Sequence, residues 1–198
     1  MPEGIPLTDH QLGLRARVLA APLVNAPEPW SERHQVAVGG LLGAGFAVHP
    51  ESGRDLLLIG SHDGLGLFDT VTGERLARER DGDAGWPGEN PGWPEDDDLT
   101  CVGIGPIAGT RVRMAGLLGG GLRTVAPDGW SVEVVSPDWP HDRVLLSKPG
   151  HDPWSGDHGD SWWHIFHANV TELRAAGFSP SGATLVVATS SDVTLWHR

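Results

Sequence analysis

Two stretches of this sequence concentrate side chains able to do chemistry. The first, 141–167, reads HDRVLLSKPGHDPWSGDHGDSWWHIFH and carries five of the ten histidines and three of the nine tryptophans. Within it, His151, Asp157, His158 and His164 are the imidazole and carboxylate donors that a divalent metal such as zinc prefers. Their spacing matches no strong metal motif, and no His-Glu-x-x-His is present. A bound ion here would imply metal-dependent hydrolysis. The plainer reading is a polar surface insertion with His167 packed structurally. On a regular strand, His164 and His167, three apart, would face opposite sides.

The second stretch, 81–98, reads DGDAGWPGENPGWPEDDD, with seven acids, no base, and an internal echo of Gly85-Trp86-Pro87 in Gly92-Trp93-Pro94. Trp86 and Trp93, with Trp139 and Trp154 further on, would offer flat apolar platforms for a peptide, a sugar or a cation. The plainer reading folds the loop rings back onto their own prolines. It is not a calcium loop. Asp81 and Asp83 fit that pattern, but Gly85 takes the third ligand position and Gly92 stands where a glutamate is needed.

Other chemistries find little support. There is no Gly-x-Ser-x-Gly nucleophile turn. Cys101, the single cysteine, sits in the apolar run 99–104, where a buried, inert thiol is expected, and no intrachain disulfide can form. Gly116–Gly121 lacks the Lys-Ser/Thr ending of a phosphate loop. A net charge of −12 repels phosphate backbones, which disfavours nucleic acid as a partner and favours a basic one. No apolar run approaches the ~20 residues that span a bilayer, so no membrane association is expected. The first thirty residues lack a secretory pattern, so a cytoplasmic location is expected.

The elements that must position these residues are β-strands. With 28 Gly and 16 Pro in 198 residues, few long helices are possible. The chain also repeats itself. GFAVHPESGRDLLLIGSHDGLGLFD at 45–69 and GFSPSGATLVVATSSDVTLWH at 177–197 share Gly-Phe, a Pro-to-Gly turn, an apolar run, an Asp turn and a second run ending in an aromatic. Each reads as a β-meander, with Leu56–Ile59 a strand buried on both faces. Thr72-Gly73-Glu74 then turns the first copy into an outer strand, Arg75–Arg78. A fainter copy spans 102–129, with Pro106 and Gly109 at the turn and Arg111–Met114 as the strand.

Residues 177–196 resemble a WD40-type propeller blade, and Asp69 with Thr72-Gly73-Glu74 resembles the turn after the third strand of such blades. His167 stands near the place of the family's Gly-His pair, but Phe166 precedes it. The Trp-Asp pair is absent: Phe68-Asp69 is the nearest form, and Trp196 is followed by His197. The resemblance implies an all-β fold: a small or oligomer-completed β-propeller of four-stranded antiparallel blades. The domain would be single, 1–198, with loop insertions at 81–98 and 139–166. It also implies a non-catalytic module that binds a protein or peptide partner, here through Trp86, Trp93, Trp139 and Trp154. The alternatives are lectin-like sugar binding through the same rings, or a metal-dependent hydrolase using the His/Asp insertion 151–164.

Three units begin near 36, 99 and 168, and the last stops after three strands at Arg198. Its open edge must be covered. The alternating run Leu14–Leu19 is expected to supply the missing outer strand. Residues 141–166 would add an irregular fourth blade, or a second subunit would complete a larger ring as a homo-oligomer.

Overall fold

The computed structural model describes residues 6–30, 32–80 and 99–198. It is predominantly β, with antiparallel sheets and one α-helix. The chain starts with α1 (Asp9–Ala20). This segment contains Leu14–Leu19, so the strand expected there is a helix. The deciding signal lies upstream. Thr8 caps the helix, its hydroxyl accepting from the Gln11 N–H while the Gln11 side chain accepts from the Thr8 N–H. This capping box satisfies two otherwise orphaned donors, and no Gly or Pro interrupts 14–21.

β1 (Glu32–Ala37) is followed by a meander, β2 (Leu41–Val48), β3 (Asp55–Ser61), β4 (Gly64–Asp69) and β5 (Arg75–Glu79). β6 (Thr100–Val102) and β7 (Arg111–Arg113) form a two-stranded ribbon, and β8 (Ala115–Gly116) adds to the free edge of β2. β9 (Ser131–Asp138), β10 (His141–Ser147) and β11 (Trp162–Ala168) form a three-stranded sheet. The last meander is β12 (Leu173–Phe178), β13 (Thr184–Thr189) and β14 (Asp192–His197). The outer edge of β14 is covered by β1, with Glu32 opposite His197 and Ala37 opposite Asp192. A strand from the N-terminal part of the chain does complete the last sheet, as expected, but it is 32–37 rather than 14–19.

The two repeat copies have equivalent structures. Phe46 pairs with Leu57 in one and Phe178 with Leu185 in the other. Gly53 and Gly182 hold the intervening turns at φ +70° and +75°, which only glycine adopts at little cost. The Gly of each Gly-Phe pair has a packing reason. A Cβ on Gly45 would run into the carbonyl of Arg113, and one on Gly177 into Leu122 and Arg123. In both copies another stretch of chain crosses the first strand there, 112–114 over Gly45 and 122–123 over Gly177. The middle copy departs: after β7, the chain joins β2 through β8 instead of continuing its own meander.

Four apolar clusters fix how the layers stack. Cys101, Val112 and Met114 of the β6–β7 segment pack on Leu56, Leu58 and Leu67. The other face of that meander, Leu57, Ile59 and Phe68, packs on Val186, Ala188 and Leu195. Behind these, Leu185, Val187 and Trp196 meet Val132, Val144, Leu146 and Trp163, joined by Trp30 and Trp130. Finally Leu145 and Trp162, on the far face of the β9–β11 sheet, pack on Val18 and Ala21 at the end of α1. The layers therefore run in the order β6–β7, β2–β5, β12–β14 with β1, β9–β11, α1. Among the described residues no core cluster joins the β6–β7 ribbon to the β9–β11 sheet, and no closed ring of sheets is formed. α1 covers the face that ring closure would have left for another sheet.

Candidate functional site

The stretch expected as a loop insertion, 139–166, is part strand and part loop: β10 and the start of β11 flank a loop at 148–161. Two of its side chains, Arg143 and His164, clasp the end of α1. A helix leaves its last four carbonyls without helical partners. Arg143 donates from Nη1 to the Val18 carbonyl at 2.9 Å and lies 3.4 Å from that of Leu19. His164, only 2% exposed, meets the Ala21 carbonyl through Nδ1 at 3.1 Å. Val24 N–H donates to the His164 carbonyl at 2.9 Å, drawing the following segment onto the edge of β11. Arg17 donates back to the Pro153 carbonyl at 2.8 Å and lies over the Trp162 ring. Burial foremost, with the neighbouring Arg143 and His167 charges, holds His164 below the usual histidine range. Burial does the same for His158 and, with Arg143, for His167.

His164 and His167 do not face opposite sides. The β10–β11 register slips between Val144 and Leu145, leaving Ile165 as an extra residue, and the two rings stand 5.7 Å apart. Of the other three suggested metal ligands, His151 is exposed. Asp157 uses its backbone carbonyl to receive Ser161 N–H at 2.8 Å, closing a turn. His158 lies edge-on to Trp162 at 4.8 Å. Among the described residues no group of three or more His, Cys, Asp or Glu is arranged to hold a metal ion.

Trp86 and Trp93 lie outside the described residues. Trp139 and Trp154 are brought together, although fifteen positions apart in sequence. Both line one groove of about 570 Å³ between α1 and the β9–β10 turn. Trp139 is 84% exposed and Trp154 38%. Leu7, Leu14, Val18 and Val135 supply the apolar floor and walls. Arg15 also lines the groove and donates to the Pro137 carbonyl at 2.5 Å. The Trp154 loop is held by Asp152, whose carboxylate accepts from the Trp154 and Ser155 N–H groups at 2.8 Å each. Behind it, burial and the Asp152 carboxylate raise the pKa of Glu133, against the pull of the Trp154 side chain as donor. The helical wall of this groove was not legible in the sequence while 14–19 read as a strand. The Thr8-x-x-Gln11 cap was the available signal.

Cys101 is buried in β6, and burial pushes its thiol up to about 11, as expected of an inert cysteine. No helix among the described residues is long and apolar enough to cross a membrane. No protein-family model matches the chain, and no curated protein matches it.

Proposed function

We propose that this protein is a non-catalytic interaction module of incomplete propeller type, which holds an apolar anchor from a basic protein or peptide partner in the Trp139–Trp154 groove. Support for the blade reading comes from the two equivalent meanders, the Asp69 turn, and completion of the last sheet by β1. Asp69 accepts from the Val71 and Thr72 N–H groups at 2.8 and 3.0 Å. That donation, with Arg54, holds its carboxyl below the usual range although burial, the largest influence, pulls upward.

One observation carries the binding reading: a tryptophan 84% exposed at the mouth of an apolar groove. Exposed aromatic anchors beside a desolvating pocket dominate many interfaces, and truncating one typically costs about 2 kcal/mol or more of binding. The surrounding net charge of −12 favours a basic partner through steering. Affinity capture from the source cells with the wild-type chain and a Trp139→Ala/Trp154→Ala variant tests this. A polypeptide should be retained by the first and lost from the second. Equal recovery overturns the reading, and a glycan-array signal lost in the same variant moves it to a sugar.

A further inference from the structure

A second, separate surface lies at the outer edge of β11. The two repeat meanders each reach four strands, with β5 and β1 as the outermost. The β9–β11 sheet stops at three. Its free edge is met at Trp162 by the His158–Gly159 turn and at His164 by the Leu23–Val24 segment, and beyond these Ile165–Ala168 have no backbone partner on that side among the described residues. Beside this edge, where a fourth strand would run next to β1, is a cavity of about 640 Å³. Leu23, Ile165, Phe166 and Trp196 supply apolar walls. Arg33 and His167 are its ionisable groups. Arg33 lies over the Trp196 ring at 5.8 Å and forms no ion pair among the described residues, and the buried Nε2 of His167 has no hydrogen-bond partner there. Arg33 is the charged side chain of this lining, a positive one in a chain of net charge −12.

We infer that the open β11 edge takes up an extended segment of a partner protein as a fourth strand, with an acidic side chain of that segment against Arg33. Unpaired strand edges recruit other strands through main-chain hydrogen bonds, while alternate side chains enter adjoining pockets and supply specificity. The acidic requirement follows from charge complementarity at Arg33, and the apolar flanks follow from Phe166 and Trp196. This surface is distinct from the tryptophan groove, and each can fail without the other.

The test is to pan a displayed library of random linear decapeptides on the full chain, then to measure fluorescence anisotropy of labelled synthetic winners. The expected winners carry Asp or Glu within a run of β-branched residues. Their binding should fall at least about tenfold on N-methylation of alternate backbone amides, and about tenfold against Arg33→Glu. It should stay unchanged against Trp139→Ala. Arg33→Ala should shift binding in the same direction by less, which guards against a fold defect in the charge reversal, as should unchanged melting temperatures. Failure to enrich any peptide over the Arg33→Glu chain overturns the inference. So does binding indifferent to N-methylation, or binding lost only in Trp139→Ala.

Discussion

Strands β3 and β10 carry similar apolar runs, Leu56–Ile59 in one and Val144–Leu146 in the other, yet they are held in place differently. β3 lies between two sheets, with Leu57 and Ile59 packing one way and Leu56 and Leu58 the other. Both its faces are dry. β10 has a sheet on one side only. On the other, Leu145 meets just the end of a twelve-residue helix. That small contact is supplemented by polar clasps from Arg143 and His164 to helix carbonyls. The contrast shows how the attachment depends on what covers a sheet. A second sheet offers apolar area along the whole strand, and its polar links, Ser181 to the Asp55 carboxylate and Thr184 to Thr70, sit only at one end. A short helix does not, and the carbonyls at its end become the anchoring points.

The contrast can be broken at its strong side first. Leu57→Ala removes a fully buried side chain between two sheets and should cost about 2–5 kcal/mol, read as a lower urea midpoint for the whole molecule. Arg143→Ala should cost less, about 1–3 kcal/mol, because it removes a buried, charge-assisted bond to the Val18 carbonyl, which then keeps only the Ala21 N–H at 3.2 Å. Its mark should be local: faster amide exchange in α1 with β3 and β13 unchanged. Equal loosening of both regions would erase the distinction drawn here.

Acid should act on the same end of the molecule. Burial, foremost, holds His158, His164 and His167 below the ordinary histidine value of 6.5. The folded chain therefore binds fewer protons there than the unfolded chain, and stability rises with pH. This contribution is complete above the unfolded value of about 6.5 and falls away as pH drops toward the folded-state values. Hydrogen exchange should show α1 released below pH 6.5 while β13 stays protected. A flat response across that range would remove the histidines from the clasp. The smallest effect is expected from Thr8→Ala, which deletes the helix cap and should cost about 1 kcal/mol, seen as fraying of α1 by circular dichroism.

The repeat was legible because its requirements are local. Gly53 and Gly182 are needed for positive φ, Pro50 and Pro180 stand in the same turns, and the runs that follow pair with their own neighbours in sequence. The inertness of Cys101 was legible for a similar reason, from the apolar run around it. The candidate site was legible only in part. Trp139 and Trp154 stood out as residue types, but nothing near them in sequence shows that α1 forms the opposite wall. The four suggested metal ligands were misleading in the same way. Histidine and aspartate in one loop resemble a ligand set, and only the β-bulge at Ile165 and the position of α1 show that His164 clasps a helix end.

Composition, turns and strand periodicity were enough to call for antiparallel meanders, because each depends on neighbours within a few residues along the chain. Which segment seals the edge of β14, which sheet faces which, and whether the layers close on themselves depend on contacts between residues from about forty to more than a hundred positions apart. Those choices are made by competition for the same buried faces. α1 packs on the free face of β9–β11, and β1 pairs along β14, because together they cover apolar surface and backbone groups that no nearby segment could reach.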